Sequence, residues 1–173
     1  MNDSSARRIM AAAALILFCA AFEAPDADPK PRFEIAYPDD YRNWMHIKSG
    51  VLKNSGTRYD GVHHIYANAK ALAGYRSGSF PDGSVIVFDM WRAEETAAPA
   101  IGKAAAIIDP SERKFIDVMV RNSARYRQTG GWGFEEFRGN SRTDRLIKDQ
   151  ERECAACHRQ GAGPDGVFSK LLD

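Results

Sequence analysis

Two cysteines and a histidine stand together near the end of the chain, as Cys154-Ala-Ala-Cys157-His158. Thiol, thiol and imidazole at this spacing have a narrow set of uses. On one helical turn, residues three apart share a face. Both sulfurs then reach the two vinyl groups of one porphyrin, and the adjacent imidazole meets the iron. This C-x-x-C-H pattern is the attachment signature of covalently bound haem c, one per chain here, with His158 as the iron ligand. A structural zinc site wants four protein ligands, and only three donors are gathered. A thioredoxin-like pair opens a long helix after a strand, whereas only Arg159 to Asp173 follows.

The position of the motif carries as much as its presence. Arg159 to Asp173 contains neither methionine nor histidine, so no sixth iron ligand lies downstream. The upstream candidates are Met45, His46, His63, His64, Met90 and Met119. Without one of them the iron keeps an open face, which suits binding, sensing or chemistry on a small molecule.

The elements that must position this motif are those of one domain. The chain has 173 residues. Arg7 and Arg8 precede a nearly continuous apolar run, Ile9 to Phe22, with small Ala20 and Ala21 at its end. That reads as a signal peptide over residues 1–24, with an N-terminal anchor as the other reading, and places the protein in the periplasm. Cys19 leaves with the signal, so the mature chain holds only the two motif cysteines. Residues 25–38 read as a linker and 39–173 as the haem domain. A net charge of +1 and no basic tract give no case for nucleic acid.

Tyr41 to Val51 begins the domain, with Trp44, Met45 and Ile47 as core candidates. Val62–Ala67, Val85–Trp91, Lys114–Val120 and Gly130–Phe137 read as strands, the last loosened by its glycines. Asn68 is an N-cap for a short helix Ala69–Arg76, and Phe80-Pro-Asp-Gly-Ser84 is a turn. Thr143–Glu153 fits a helix leading into the cysteines. The expected class is α+β: a predominantly antiparallel β-sheet with short helices and a C-terminal haem-attachment helix.

An ordered set of pieces then carries a resemblance. They are Tyr41-Arg-Asn-Trp44, His64-Ile-Tyr66-Ala-Asn68, Gly78-Ser-Phe80-Pro-Asp-Gly83, Gly131-Trp132-Gly-Phe134, the haem motif, and Asp165-Gly-Val-Phe168-Ser169. Together they resemble the cytochrome P-460 family, which includes the cytochromes c′-beta, over nearly the whole mature chain. The resemblance implies a β-rich fold, a homodimer, a five-coordinate haem, and ligands such as nitric oxide or hydroxylamine. One departure matters. Strict P-460 members carry a lysine cross-linked to the porphyrin, placed in the strand after the Phe-x-Asp-Gly turn. This chain has no lysine between Lys70 and Lys103, and Phe88 stands near the expected place. That favours the c′-beta type, with an apolar pocket for a neutral diatomic ligand. The expected function is therefore binding or scavenging of nitric oxide or a related nitrogen species. Oxidation of hydroxylamine or nitric oxide is the alternative, and six-coordinate electron transfer with a periplasmic redox partner is the second.

Phe88, Met90 and Trp132 are expected to line the haem, with Phe134 packing on the macrocycle or in the core. Ile86, Phe88 and Met90 share one face of their strand, and Val85, Val87 and Asp89 the other. His63 and His64 face opposite ways, so one approaches the pocket. Glu135 and Glu136 alternate likewise. His63, Glu135 and Glu136 are the candidates for a distal acid or base. Arg121, Arg125 and Arg127 form a basic cluster, read by default as a solvated face.

Overall fold

The computed structural model describes residues 34–102 and 105–172. The expected signal peptide, Cys19 and most of the linker lie outside the described residues. Five strands form one sheet in sequence order, β1 (Met45–Leu52), β2 (Gly61–Ala67), β3 (Val85–Ala97), β4 (Ala106–Arg121) and β5 (Trp132–Arg138). Every neighbouring pair is antiparallel. The short helix α1 (Ala69–Ser77) links β2 to β3, and α2 (Ala156–Gly161) follows a π-helical turn, Glu151–Ala155.

The local chemistry explains these boundaries. The Asn68 side chain accepts from the Ala71 amide at 2.9 Å and from the Val85 amide at 3.1 Å. One amide oxygen thus starts α1 and fixes the entry of β3. Gly78 ends α1 in the left-handed region at φ 80, the usual place for glycine. In β5, a Cβ on Gly133 would stand 2.3 Å from the Tyr126 ring, so the glycine there is required by packing. It does not loosen the strand.

The sheet buries both faces. Side chains across one face fall into three rows. Ala67, Ile86, Met119 and Phe134 are directly opposed on β2 to β5, as are Ile65, Phe88, Asp117 and Glu136, then His63, Met90, Phe115 and Arg138. The first row packs with Phe80, Trp132, Ala155 and Val167, and Cys154 lies against the same cluster. The second face carries Val87, Ile116, Val118 and Phe137 under Ile35, Tyr41 and Tyr126. On this face Asp89, 1% exposed, accepts from the Tyr41 hydroxyl at 2.7 Å and from Arg113 Nε at 2.8 Å.

Two expectations need correction. Met45 is exposed at the start of the edge strand β1, although it opposes Ala67, while Ile47 is buried in the first-face cluster. Thr143 to Gln150 is not helical. Arg145 bridges Phe137, and the Leu146 amide donates to Glu136 O at 2.9 Å, so the segment covers the otherwise unpaired edge of β5. Helical backbone begins only at Glu151.

Candidate functional site

The C-x-x-C-H motif straddles the π-helical turn and α2. The Ala156 amide donates to Glu151 O, an i→i+5 bond that places a π turn at Cys154. Cys154 is partly buried against the first face of the sheet, and Cys157 is exposed. Burial, with the carboxylates of Asp117, Glu153 and Glu136 adding to it, pushes the Cys154 thiol up to about 12. The cluster it packs against includes Ile65 and Phe88 of the second side-chain row.

His158 is held from behind. Its Nδ1 lies 2.8 Å from the Gly166 carbonyl, which can only accept, so Nδ1 carries the proton and Nε2 keeps its lone pair. Its ring packs between Phe134 and Phe168, each centroid 4.9 Å away. Burial depresses the His158 pKa, and the Gly166 carbonyl offsets part of this. A neutral imidazole with a fixed tautomer, next to two thiols on one turn, fits an axial ligand of haem c.

The loop supplying Gly166 is itself anchored by residues that sequence reasoning did not single out for this role. Asp165 Oδ2 accepts from the Phe80 amide at 2.8 Å, and Oδ1 lies 3.3 Å from Arg121 Nη2. The Asp165 carbonyl accepts from Trp132 Nε1 at 2.7 Å. Asp165 has φ 60, a conformation Asp tolerates better than most residues. Trp132 thus holds the loop that holds His158. Arg121 also leaves the expected solvated cluster, since it pairs with Asp165 and lies over the Trp132 ring at 5.4 Å. A cavity of about 270 Å³ borders His158, lined by Trp132, Phe134, Ala155 and Gly166 among others. None of Phe88, Asp117 and Glu136 lines it, so it belongs to the histidine's carbonyl side.

The structure separates the expected distal residues. Phe88 stands on the first face, as expected, with His63 stacked on it at 5.0 Å and Tyr59 edge-on at 6.0 Å. Met90 shares that face by alternation but is fully buried, with its terminal methyl 2.8 Å from where a Gly61 Cβ would stand. Of the two glutamates, Glu136 shares the row of Phe88 and Asp117. Glu135 faces the other way, where Arg145 Nη1 donates to it at 2.7 Å.

Asp117 escaped sequence reading because a lone acid in an apolar strand looks like an outward-facing residue. The cross-strand register places it between Phe88 and Glu136. Burial first, and the neighbouring Glu136 second, raise its pKa well above the ordinary carboxylate range, with Arg58 offsetting part. Arg58 grips Glu136 with both terminal nitrogens, Nη1 lying 2.7 Å from Oε1, and lies over the Phe115 ring at 4.7 Å. Lys114 pins the Arg58 loop by donating to the carbonyls of Arg58 and Asp60 at 2.5 and 2.9 Å. The face therefore presents a phenyl wall ending in two adjacent carboxyl groups, with the pKa of Asp117 pushed up by its burial.

A raised pKa has a definite consequence for stability. The unfolded chain releases the Asp117 proton near pH 3.9, whereas the folded chain holds it, so stability is lost as pH rises through the folded value. Asp117→Asn should therefore melt close to the parent near pH 4 and above it toward pH 8. Thermal melts across that range would refute this if the two curves stayed parallel.

A family model described as Cytochrome P460 matches residues 38–169. The chain belongs to the cytochrome P460 family. A comparison with curated protein sequences gives no match. The matched span runs from just before Tyr41 to Ser169 and takes in all five strands, Cys154, Cys157, His158 and the Asp165–Gly166 loop. Membership makes this cytochrome P460-family protein a haem c cytochrome. Its own residues fit the group, since both thiols and the imidazole sit on one short helical stretch and His158 is already fixed in the ligating tautomer.

Proposed function

We propose that this cytochrome P460-family protein is an exported mono-haem cytochrome of the c′-beta type, whose five-coordinate haem binds nitric oxide or a related small nitrogen species. The single observation carrying the reading is the aromatic wall of Phe88, Phe115 and Tyr59 on the sheet face against which Cys154 packs. When bound, the haem supplies an iron whose side away from His158 takes a small ligand. The chain's residues decide what that side is like.

Phe88, Phe115 and Tyr59 make an apolar wall, which favours a neutral diatomic over a charged ligand. The upstream sixth-ligand candidates are mostly engaged elsewhere. His46 and His64 bond Ser49, Met119 packs beside Phe134, Met45 is exposed, and Met90 is buried against Gly61. His63 stands beside Phe88 with its ring stacked, and burial lowers its pKa. In this reading the His63 ring, held stacked on Phe88, extends the wall.

The alternative reading is oxidation of hydroxylamine or nitric oxide, and the carboxyl pair favours it specifically. Asp117 can give a proton, while Glu136, paired with Arg58, can take one. β3 has no lysine for a porphyrin cross-link, which weighs toward binding.

The ferrous spectrum of the purified holoprotein, without added ligand, is expected to be high-spin and to change fully on adding nitric oxide. His63→Ala should leave it high-spin. A low-spin spectrum that turned high-spin in His63→Ala would replace this reading with a six-coordinate carrier. Steady turnover of hydroxylamine with an electron acceptor, lost in Glu136→Gln, would establish the oxidoreductase instead.

A further inference from the structure

A second cluster of imidazoles lies on the opposite face of the sheet from Cys154. Ser49, His64 and Asp89 are directly opposed on β1, β2 and β3, and His46 opposes Tyr66. Tyr66 packs with Tyr41 and Val87, which fixes this as the second face. In a regular strand, His46 and Ser49 would point to opposite sides, being three residues apart. A bulge between His46 and Lys48 removes that difference and brings both to one face.

The result is convergence on one point. His46 Nε2 lies 2.9 Å and His64 Nδ1 lies 2.7 Å from the same Ser49 Oγ. The two imidazole centroids are 6.1 Å apart, and the Tyr66 ring backs both, at 5.5 and 6.5 Å. Both nitrogens are thus aimed at a spot small enough for one atom. Burial lowers the His64 pKa, so its lone pair is available near neutrality. A hydroxyl can donate to only one of the two rings and must accept from the other. It is therefore a half-matched occupant for two lone pairs.

We propose that His46 and His64 form a surface site for a first-row divalent cation of the copper–zinc end of the series, with Ser49 Oγ or water completing the coordination. Imidazole is a preferred donor for these ions, which sit about 2.0–2.1 Å from each nitrogen. An ion in the place of Ser49 Oγ would stand 2.9 and 2.7 Å from the two nitrogens, so each ring closes by about 0.6–0.9 Å as the hydroxyl turns aside. His46 and Ser49 are exposed and His64 is half-buried, which leaves positions on the solvent side for water or for an exchangeable ligand. The Asp89 carboxylate, opposite His64 in the ladder, is paired with Arg113 and lies 3.6 Å from Arg42, so it balances charge without ligating. Nothing in this cluster touches the cysteines or His158, and the site is independent of the reading given above.

The test uses holoprotein and the metal ion alone. Zinc titration by calorimetry should give saturable binding of one ion per chain. His46→Ala and His64→Ala should each weaken it by more than about tenfold, and Ser49→Ala by less, since water replaces the hydroxyl. With copper(II), the electron paramagnetic resonance spectrum should show hyperfine splitting from two imidazole nitrogens. His46 and Ser49 are exposed and His64 half-buried, and an unchanged haem absorbance and melting temperature would certify each variant as folded. Absence of saturable binding, or binding unchanged in either histidine variant, would overturn the proposal. So would a copper spectrum with a single nitrogen.

Discussion

With Cys154 and Cys157 both replaced by serine, no haem should remain on the chain after denaturation and acid–organic extraction, whereas the parent should retain essentially all of it. Serine hydroxyls do not add to vinyl groups under the conditions that form thioethers, so the bond is lost outright. His158 alone, fixed by Gly166 and flanked by Phe134 and Phe168, would leave at most a loosely held group. The single variants should each keep one thioether, read as a shifted α band in the pyridine spectrum. Haem still covalently attached in the double variant would contradict the assignment of the motif.

The largest stability effect should come from the face that carries no haem. Asp89→Ala removes the acceptor for the Tyr41 hydroxyl and for two Arg113 nitrogens. The Arg113 side chain is 7% exposed, so its charge would be left buried and unpaired. Removing one partner of a buried pair costs about 3–5 kcal/mol, which corresponds to a fall in Tm on the order of 10 °C for a domain of this size. Asp89→Asn should cost less, because an amide oxygen still accepts. A double replacement of Asp89 and Arg113 by apolar residues should recover part of the loss. A Tm for Asp89→Ala within a degree or two of the parent would show that the network contributes little.

Much of the fold was legible because several of its elements begin at strong punctuation, although β3 and β4 run on beyond the Val85–Trp91 and Lys114–Val120 expected. Asn68, the Pro81–Gly83 turn and the β-branched run after Ser84 each have local causes, and β2, α1 and β3 appear where those causes place them. Thr143 to Gln150 misled because its polar, Leu-containing pattern suits a helix, whereas the free edge of β5 captures it through Arg145 and Leu146. That demand comes from a strand which the segment's own residues do not reveal.

The site divides the same way. Cys154, Cys157 and His158 are a local spacing, readable directly. Strand alternation correctly put Ile86, Phe88 and Met90 on one face. It could not choose between Glu135 and Glu136, because that needs the register of β5 against β4. Asp117 was invisible for the same reason, as were Trp132 and Asp165 as supports of His158. Their roles arise from contacts between residues 33 and 85 positions apart in the chain.

The strand order β1 to β5 has a consequence for how the holoprotein matures. Each strand pairs only with its sequence neighbour, three pairs across loops and β2 with β3 across α1, so the contacts that build the sheet are local in the chain. The thiols come last. Cys154 and Cys157 follow all five strands, so the wall bearing Phe88, Asp117 and Glu136 is built wholly from residues earlier in the chain than the attachment motif.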